Sequence, residues 1–142
     1  MKEEWKKWFI SQLISISGTY DWKDRSYSYT NIDVEDVPFH KELMKHIYSL
    51  DEITCDSQYK VYHIHKWSVG DYFDEHMDNN FNRKWAYVCE LQPSDCNTSL
   101  VVDGFPIKEG VFSSTTLHRL PKVQEGIRIS LTVFGVPCKS PM

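Results

Sequence analysis

The sequence predicts an α+β fold, a β-sandwich or jelly roll buttressed by N-terminal helices. Three observations predict it. Apolar residues recur at helical spacing over residues 3–16 and again over 38–50. From Gln58 onward the period switches to two. Gly70, Pro93, Gly104, Gly110, Pro121 and Gly126 then cut the alternating stretches into short pieces. Helices first and many short strands afterwards is the order of an α+β domain. With no repeat and no long linker, the 142 residues read as one domain, helical over 1–50 and β-rich over about 58–136.

Residues 3–16 place Trp5, Trp8, Phe9, Leu13 and Ile16 on one face, with Lys and Glu between them, and Gly18 is suited to ending the helix. A helix docked on a core is the first reading. The mixed charges of the polar face count against a membrane-surface helix. In the second helix Pro38 suits the first turn, and Leu43, Met44, Ile47 and Leu50 form the apolar stripe. His40 and His46 read as surface residues of that segment. The strand candidates are 58–67, 85–91, 99–103, 110–113 and 127–136, rich in β-branched and aromatic residues. Tyr62 and Tyr87 read as core aromatics.

Hydrophobic residues make up 41% and charged residues 25%, the balance of a globular chain rather than a disordered one. Aromatics at 14% supply large core side chains. A net charge of −4 argues against a surface built for duplex DNA. Cys55, Cys89, Cys96 and Cys138 form no C-x-x-C pair, so a structural zinc site has no support and free thiols are expected. The N-terminal apolar runs are short and broken by Ser and Gln, unlike a secretory signal. No segment reaches the length of a membrane span, and the expected location is cytoplasmic.

The chemistry concentrates in two places. The first is E-H-M-D at 75–78. On a strand, His76 and Asp78 would point to the same face, so an imidazole and a carboxylate could converge on one cation. Two His and one carboxylate on one face of an octahedron is the ferrous oxygenase ligand set. His118, just before the last long strand, is the best candidate for the third ligand. An H-x-D alone is a weak signal: with six histidines it arises by chance at roughly even odds. The second place is I-R-I-S-L-T-V-F, from Ile127 to Phe134, where Arg128, Ser130 and Thr132 share one face and Ile127, Ile129, Leu131 and Val133 the other. The polar face looks either to water or into a small cavity. In a cavity, Arg128 could pair bidentately with a carboxylate and Ser130 could add a hydrogen bond.

Together these segments resemble the prolyl-hydroxylase-like branch of the 2-oxoglutarate/Fe(II) oxygenases. W-S-V-G-D-Y-F-D-E-H-M-D, from Trp67 to Asp78, is similar to the family's aromatic-x-x-Gly-x-x-aromatic-x-x-His-x-Asp signature. L-H-R-L-P-K-V-Q-E-G-I-R-I-S-L-T-V-F, from Leu117 to Phe134, is similar to its C-terminal His…Gly-x-Arg signature. The resemblance covers roughly 58–136. It implies a double-stranded β-helix, a jelly-roll variant, with His76, Asp78 and His118 as iron ligands and Arg128 and Ser130 as 2-oxoglutarate contacts. Trp67 stands where relatives usually carry a Tyr that helps hold the co-substrate. Glu90 stands where many carry an aromatic, and Asn97-Thr98-Ser99 replaces a frequent Gly-Gly.

The resemblance also implies chemistry. Fe(II), 2-oxoglutarate and O₂ would be used, with ascorbate as an optional addition. A peptidyl residue, proline first among them, would be hydroxylated with release of succinate and CO₂. The carboxylate at Asp78 favours hydroxylation over halogenation. The implied partner is a protein or peptide; no membrane partner is expected, and the acidic charge balance weighs mildly against nucleic acid. An oxygenase of small molecules or nucleic acid, and a non-enzymatic jelly-roll module with a residual metal site, stand as alternatives. Secondary candidates are His63 and His65, which share a strand face with Trp67, and Asn79, Arg83 and Lys84 near the expected pocket mouth.

Overall fold

The structure, a computed structural model, describes residues 1–14, 18–22, 24–50, 57–58, 61–77, 85–94 and 98–137. Helix α1 (Glu3–Ser11) is followed by a 3₁₀ turn over Gln12–Ile14, and α2 spans His40–Tyr48. The strands are β1 (Gly18–Trp22), β2 (Arg25–Asp33), β3 (Ser57–Gln58), β4 (Val61–Trp67), β5 (Tyr72–His76) and β6 (Trp85–Gln92). They continue with β7 (Leu100–Val102), β8 (Phe105–Ile107), β9 (Glu109–Ser113), β10 (His118–Leu120) and β11 (Arg128–Pro137).

All pairings are antiparallel, along the path β8-β7-β10-β5-β2-β4-β11-β6-β9, with β1 on β2 and β3 on β11. The result is jelly-roll-like. No helix among the described residues is long and apolar enough to cross a membrane.

Period-two alternation sorts the side chains of the central strands onto two faces. Tyr62 and Ile64 of β4, Trp85, Tyr87, Cys89 and Leu91 of β6, and Ile129, Leu131 and Val133 of β11 join one apolar cluster. Trp5, Phe9, Leu43 and Ile47 of the two helices belong to the same cluster. Phe39 stacks on Trp5 at 5.3 Å, and Phe9 meets Tyr62 at 5.3 Å. The opposite faces carry Trp67, Ala86 and Val88, which join Leu100, Val102, Phe112 and Leu120 in a second cluster. Because both faces of β6 are covered, residues 85–91 read as one buried run instead of alternating.

Several expectations need correction. The first helix ends at Ser11, short of residue 16, which lies outside the described residues. Gly18 opens β1 instead of closing a helix. Opposite it in the ladder stands Tyr29, and a Cβ on Gly18 would meet the phenol oxygen at 2.5 Å, so close approach explains the glycine. The segment 1–50 is not wholly helical: β1 and β2 lie within it, and β2 sits in the middle of the sheet. The hairpin β7–β8 was also not anticipated. Its turn is Asp103-Gly104, both at positive φ (50° and 82°), the conformation of a type I′ turn. Cys89 is a buried free thiol, pushed up by burial, while Cys55, Cys96 and Cys138 lie outside the described residues.

His40 and His46 are more than surface residues. His40 Nδ1 lies 2.7 Å from the Tyr62 hydroxyl, and burial lowers its pKa. His46 Nε2 donates to Glu109 at 2.7 Å, and the Tyr87 hydroxyl donates to the same carboxylate at 2.6 Å. Burial alone would raise the Glu109 carboxyl. The hydrogen bonds from Tyr87, His46 and the Met1 amine outweigh it and hold the carboxyl below its ordinary 4.5. Since the folded value is the lower one, Glu109 stabilises the fold fully above 4.5 and loses that effect as pH falls through the folded value. Glu109→Gln is therefore expected to flatten the acid limb of a stability–pH curve measured by urea denaturation. An unchanged limb would show that the three hydrogen bonds contribute nothing net.

Candidate functional site

His76 ends β5 and His118 begins β10, and the two are directly opposed in the antiparallel ladder. Their ring centroids are 4.4 Å apart. His76 Nδ1 donates to the Asp74 carbonyl at 2.7 Å, and His118 Nδ1 donates to the Thr116 carbonyl at 3.0 Å. A carbonyl only accepts, so Nδ1 carries the proton in each ring and Nε2 carries the lone pair. Metal-binding imidazoles are commonly oriented by such a bond from the other ring nitrogen. Phe73 packs edge-on against both rings, at 4.8 and 5.7 Å, and Phe112 lies 4.9 Å from His118. His118 is buried, and His76 is half-buried at the end of its strand.

Asp78 lies outside the described residues, as do Asn79, Arg83 and Lys84. Among the described residues no group of three His, Cys, Asp or Glu side chains meets in metal-binding geometry. The described residues bring two imidazoles together, His76 from the end of β5 and His118 from the start of β10.

Both histidines line a cavity of about 190 Å³, and Arg128, Ser130 and Thr132 line it too. The polar face of β11 thus looks into a cavity and not to water. Arg128 is only 4% exposed. Burial pushes its guanidinium below the ordinary value, and neighbouring Glu90 opposes that. Arg128 Nε and Glu90 Oε2 are 3.6 Å apart, an ion-pair distance but too long for a hydrogen bond. Neither atom has a hydrogen-bond partner among the described residues. A buried guanidinium in that condition fits an anion entering the cavity.

Ser130 is held from the side. The Trp67 indole N–H donates to Ser130 Oγ at 3.1 Å, so the serine hydroxyl proton remains for a second partner. Trp67 lines the cavity as well, with its indole N–H engaged by Ser130. Ser130→Ala would leave the buried indole N–H unpaired, at about 1–3 kcal/mol. The expected result is a corresponding drop in unfolding free energy by denaturant titration. A neutral outcome would mean that the indole finds another acceptor.

His63 and His65 follow the face of Trp67 and both line the cavity. The ring of His65 lies 4.8 Å from that of Tyr27. Sequence reasoning missed β2 altogether, and β2 supplies Arg25, Tyr27, Tyr29 and Asn31 to the wall. The signal was present: these four residues are spaced by two in R-S-Y-S-Y-T-N.

Sequence-level comparison finds nothing: no family model and no curated protein matches the chain. Solved structures do match. A Pseudomonas putida prolyl-4-hydroxylase superposes with a TM-score of 0.74 at 12% identity, covering 96% of this chain and 86% of that one. The viral collagen prolyl hydroxylase of Paramecium Bursaria Chlorella virus-1, solved as a 2OG complex, gives 0.68 at 11% identity, covering 97% and 92%. An oxidoreductase of the 2OG-Fe(II) oxygenase family from Burkholderia pseudomallei gives 0.62 at 15% identity, covering 92% and 77%. The sequence-level resemblance and the three-dimensional likeness agree, and the chain has the fold of these prolyl hydroxylases and 2OG-Fe(II) oxygenases.

Proposed function

We propose that this chain is an Fe(II)- and 2-oxoglutarate-dependent dioxygenase, a double-stranded β-helix that hydroxylates a peptidyl residue, with proline as the target. One observation carries the reading. A cross-strand pair of oriented imidazoles and a buried guanidinium whose Nε has no hydrogen-bond partner among the described residues line the same cavity. The first fits a cation, and the second fits the far carboxylate of a dicarboxylic oxo acid. That two of the similar structures are prolyl hydroxylases supports the choice of substrate.

In this reading His76, Asp78 and His118 would hold the iron, and Arg128 would hold the distal carboxylate with a hydrogen bond from Ser130. Bound iron, with the oxo acid and O₂, supplies the oxidising power, and succinate and CO₂ leave as co-products. The chain's own part is placement. The Nδ1–H bonds to Asp74 and Thr116 fix both rings, and Trp67 fixes Ser130. Phe73 packs against both rings and Phe112 against that of His118.

The test is Fe(II) and 2-oxoglutarate binding without oxygen, followed by succinate release when O₂ is admitted, with ascorbate keeping the iron reduced. A panel of proline-containing peptides then reads out hydroxylation by mass. Binding without succinate release under any peptide would instead support a binding module with a residual metal site.

A further inference from the structure

Behind Arg128, outside the residues that line the cavity, stands a buried carboxylate that the proposed reaction does not use. Glu90 lies on β6, directly opposite Ser130 of β11. Alternation turns its neighbours Cys89 and Leu91 towards the helices, and its own side chain towards the face that carries Arg128. Its side chain is 7% exposed and that of Arg128 4%. Arg128 is the cation with which Glu90 forms an ion pair among the described residues, through Nε. Nε is one edge of the guanidinium. The Nη end, and the hydroxyl hydrogen of Ser130, are the donors that face a ligand in the cavity.

We infer that Glu90 is a specificity-determining residue of the co-substrate site: its buried carboxylate sits on one edge of Arg128 and weakens the site's preference for a 2-oxo acid with a second carboxylate. This rests on the function proposed above. The reasoning is electrostatic. A lone buried guanidinium gains an anion's full attraction and loses an unpaired charge when the anion arrives. Arg128 starts from a pair whose charges cancel. An incoming carboxylate must share the guanidinium with Glu90 and stand near a like charge in a poorly screened cavity. A 2-oxo acid without the second carboxylate meets no such repulsion. The site is therefore tuned towards weak co-substrate binding and shallow discrimination between dicarboxylic and monocarboxylic 2-oxo acids.

Glu90→Gln keeps the side-chain shape and removes the charge. The experiment loads wild-type protein and E90Q with Mn(II), which binds as Fe(II) does without reacting with O₂. Calorimetry then measures the Kd of 2-oxoglutarate and of 2-oxobutyrate for each. The expected result is an about tenfold tighter 2-oxoglutarate Kd in E90Q with 2-oxobutyrate little changed. Ligand-free E90Q should melt lower than wild type and recover with 2-oxoglutarate, because the ligand replaces the missing partner of Arg128. Equal or weaker 2-oxoglutarate binding by a folded E90Q overturns the inference. Should E90Q not fold, wild type alone decides. A preference for 2-oxoglutarate over 2-oxobutyrate of about tenfold or less supports the inference, and a larger one overturns it. Absence of any Mn(II)-dependent 2-oxoglutarate binding by wild type sinks the proposed function itself, an outcome distinct from equal binding by both proteins.

Discussion

His76→Ala is expected to abolish specific Fe(II) binding and oxygen-dependent succinate release, and His118→Ala to do the same. Each removes one of two imidazoles that face each other at 4.4 Å between ring centroids. The lone pairs are displayed on Nε2, because Nδ1 of each ring is bound to a carbonyl. A cation left with a single imidazole and one carboxylate loses its octahedral face. The fold should survive. His76 is half-buried at the end of a strand, and the ladder of β5 with β10 is made by backbone groups that alanine keeps. The measurement is the visible charge-transfer absorption of the anaerobic Fe(II)–oxo acid complex, beside a melting curve. Full absorption in both folded variants would falsify the metal centre.

Arg128→Gln should cost more in stability than any other change in the cavity and should remove 2-oxoglutarate binding as well. Glu90 would be left as a buried carboxylate with no cation, a loss of about 3–5 kcal/mol. For a chain of this length that lowers the melting temperature by about 10–15 °C. Co-substrate affinity should fall by about a hundredfold, the value of two charge-assisted hydrogen bonds less what water restores. The double variant Arg128→Gln/Glu90→Gln separates the two effects. It removes both charges, so stability should return in large part, while 2-oxoglutarate affinity should stay lost. If the double variant regains affinity, Arg128 is a structural partner of Glu90 and not the anchor of the co-substrate.

How much of this was legible in the sequence differs by element. The alternation of 127–134 showed that Arg128, Ser130 and Thr132 share a face. Whether that face met water or a cavity depended on distant strands, since residues of β2, β5, β7, β9 and β10 line the same cavity. Register is a long-range property. Nothing local to His118 says that it stands opposite His76, yet that pairing places both rings together. β2 was lost to a prior of helices at the N-terminus, although its tyrosines alternate cleanly. Glu90 was visible as an unusual residue in an apolar run. Its partner was not, because Glu90 and Arg128 are 38 positions apart and meet across the β6–β11 ladder. Asp78 was legible by motif alone and lies outside the described residues.

The opposition of His76 and His118 across one ladder has a thermodynamic corollary. Backbone pairing has already fixed the separation of two ligands before any ion arrives, so most of the ordering entropy is spent in forming the sheet. Iron would then act as a guest in a finished frame and not as the staple that closes it. Chelation should empty the centre and leave the polypeptide folded, in contrast to small zinc domains whose folding is metal binding.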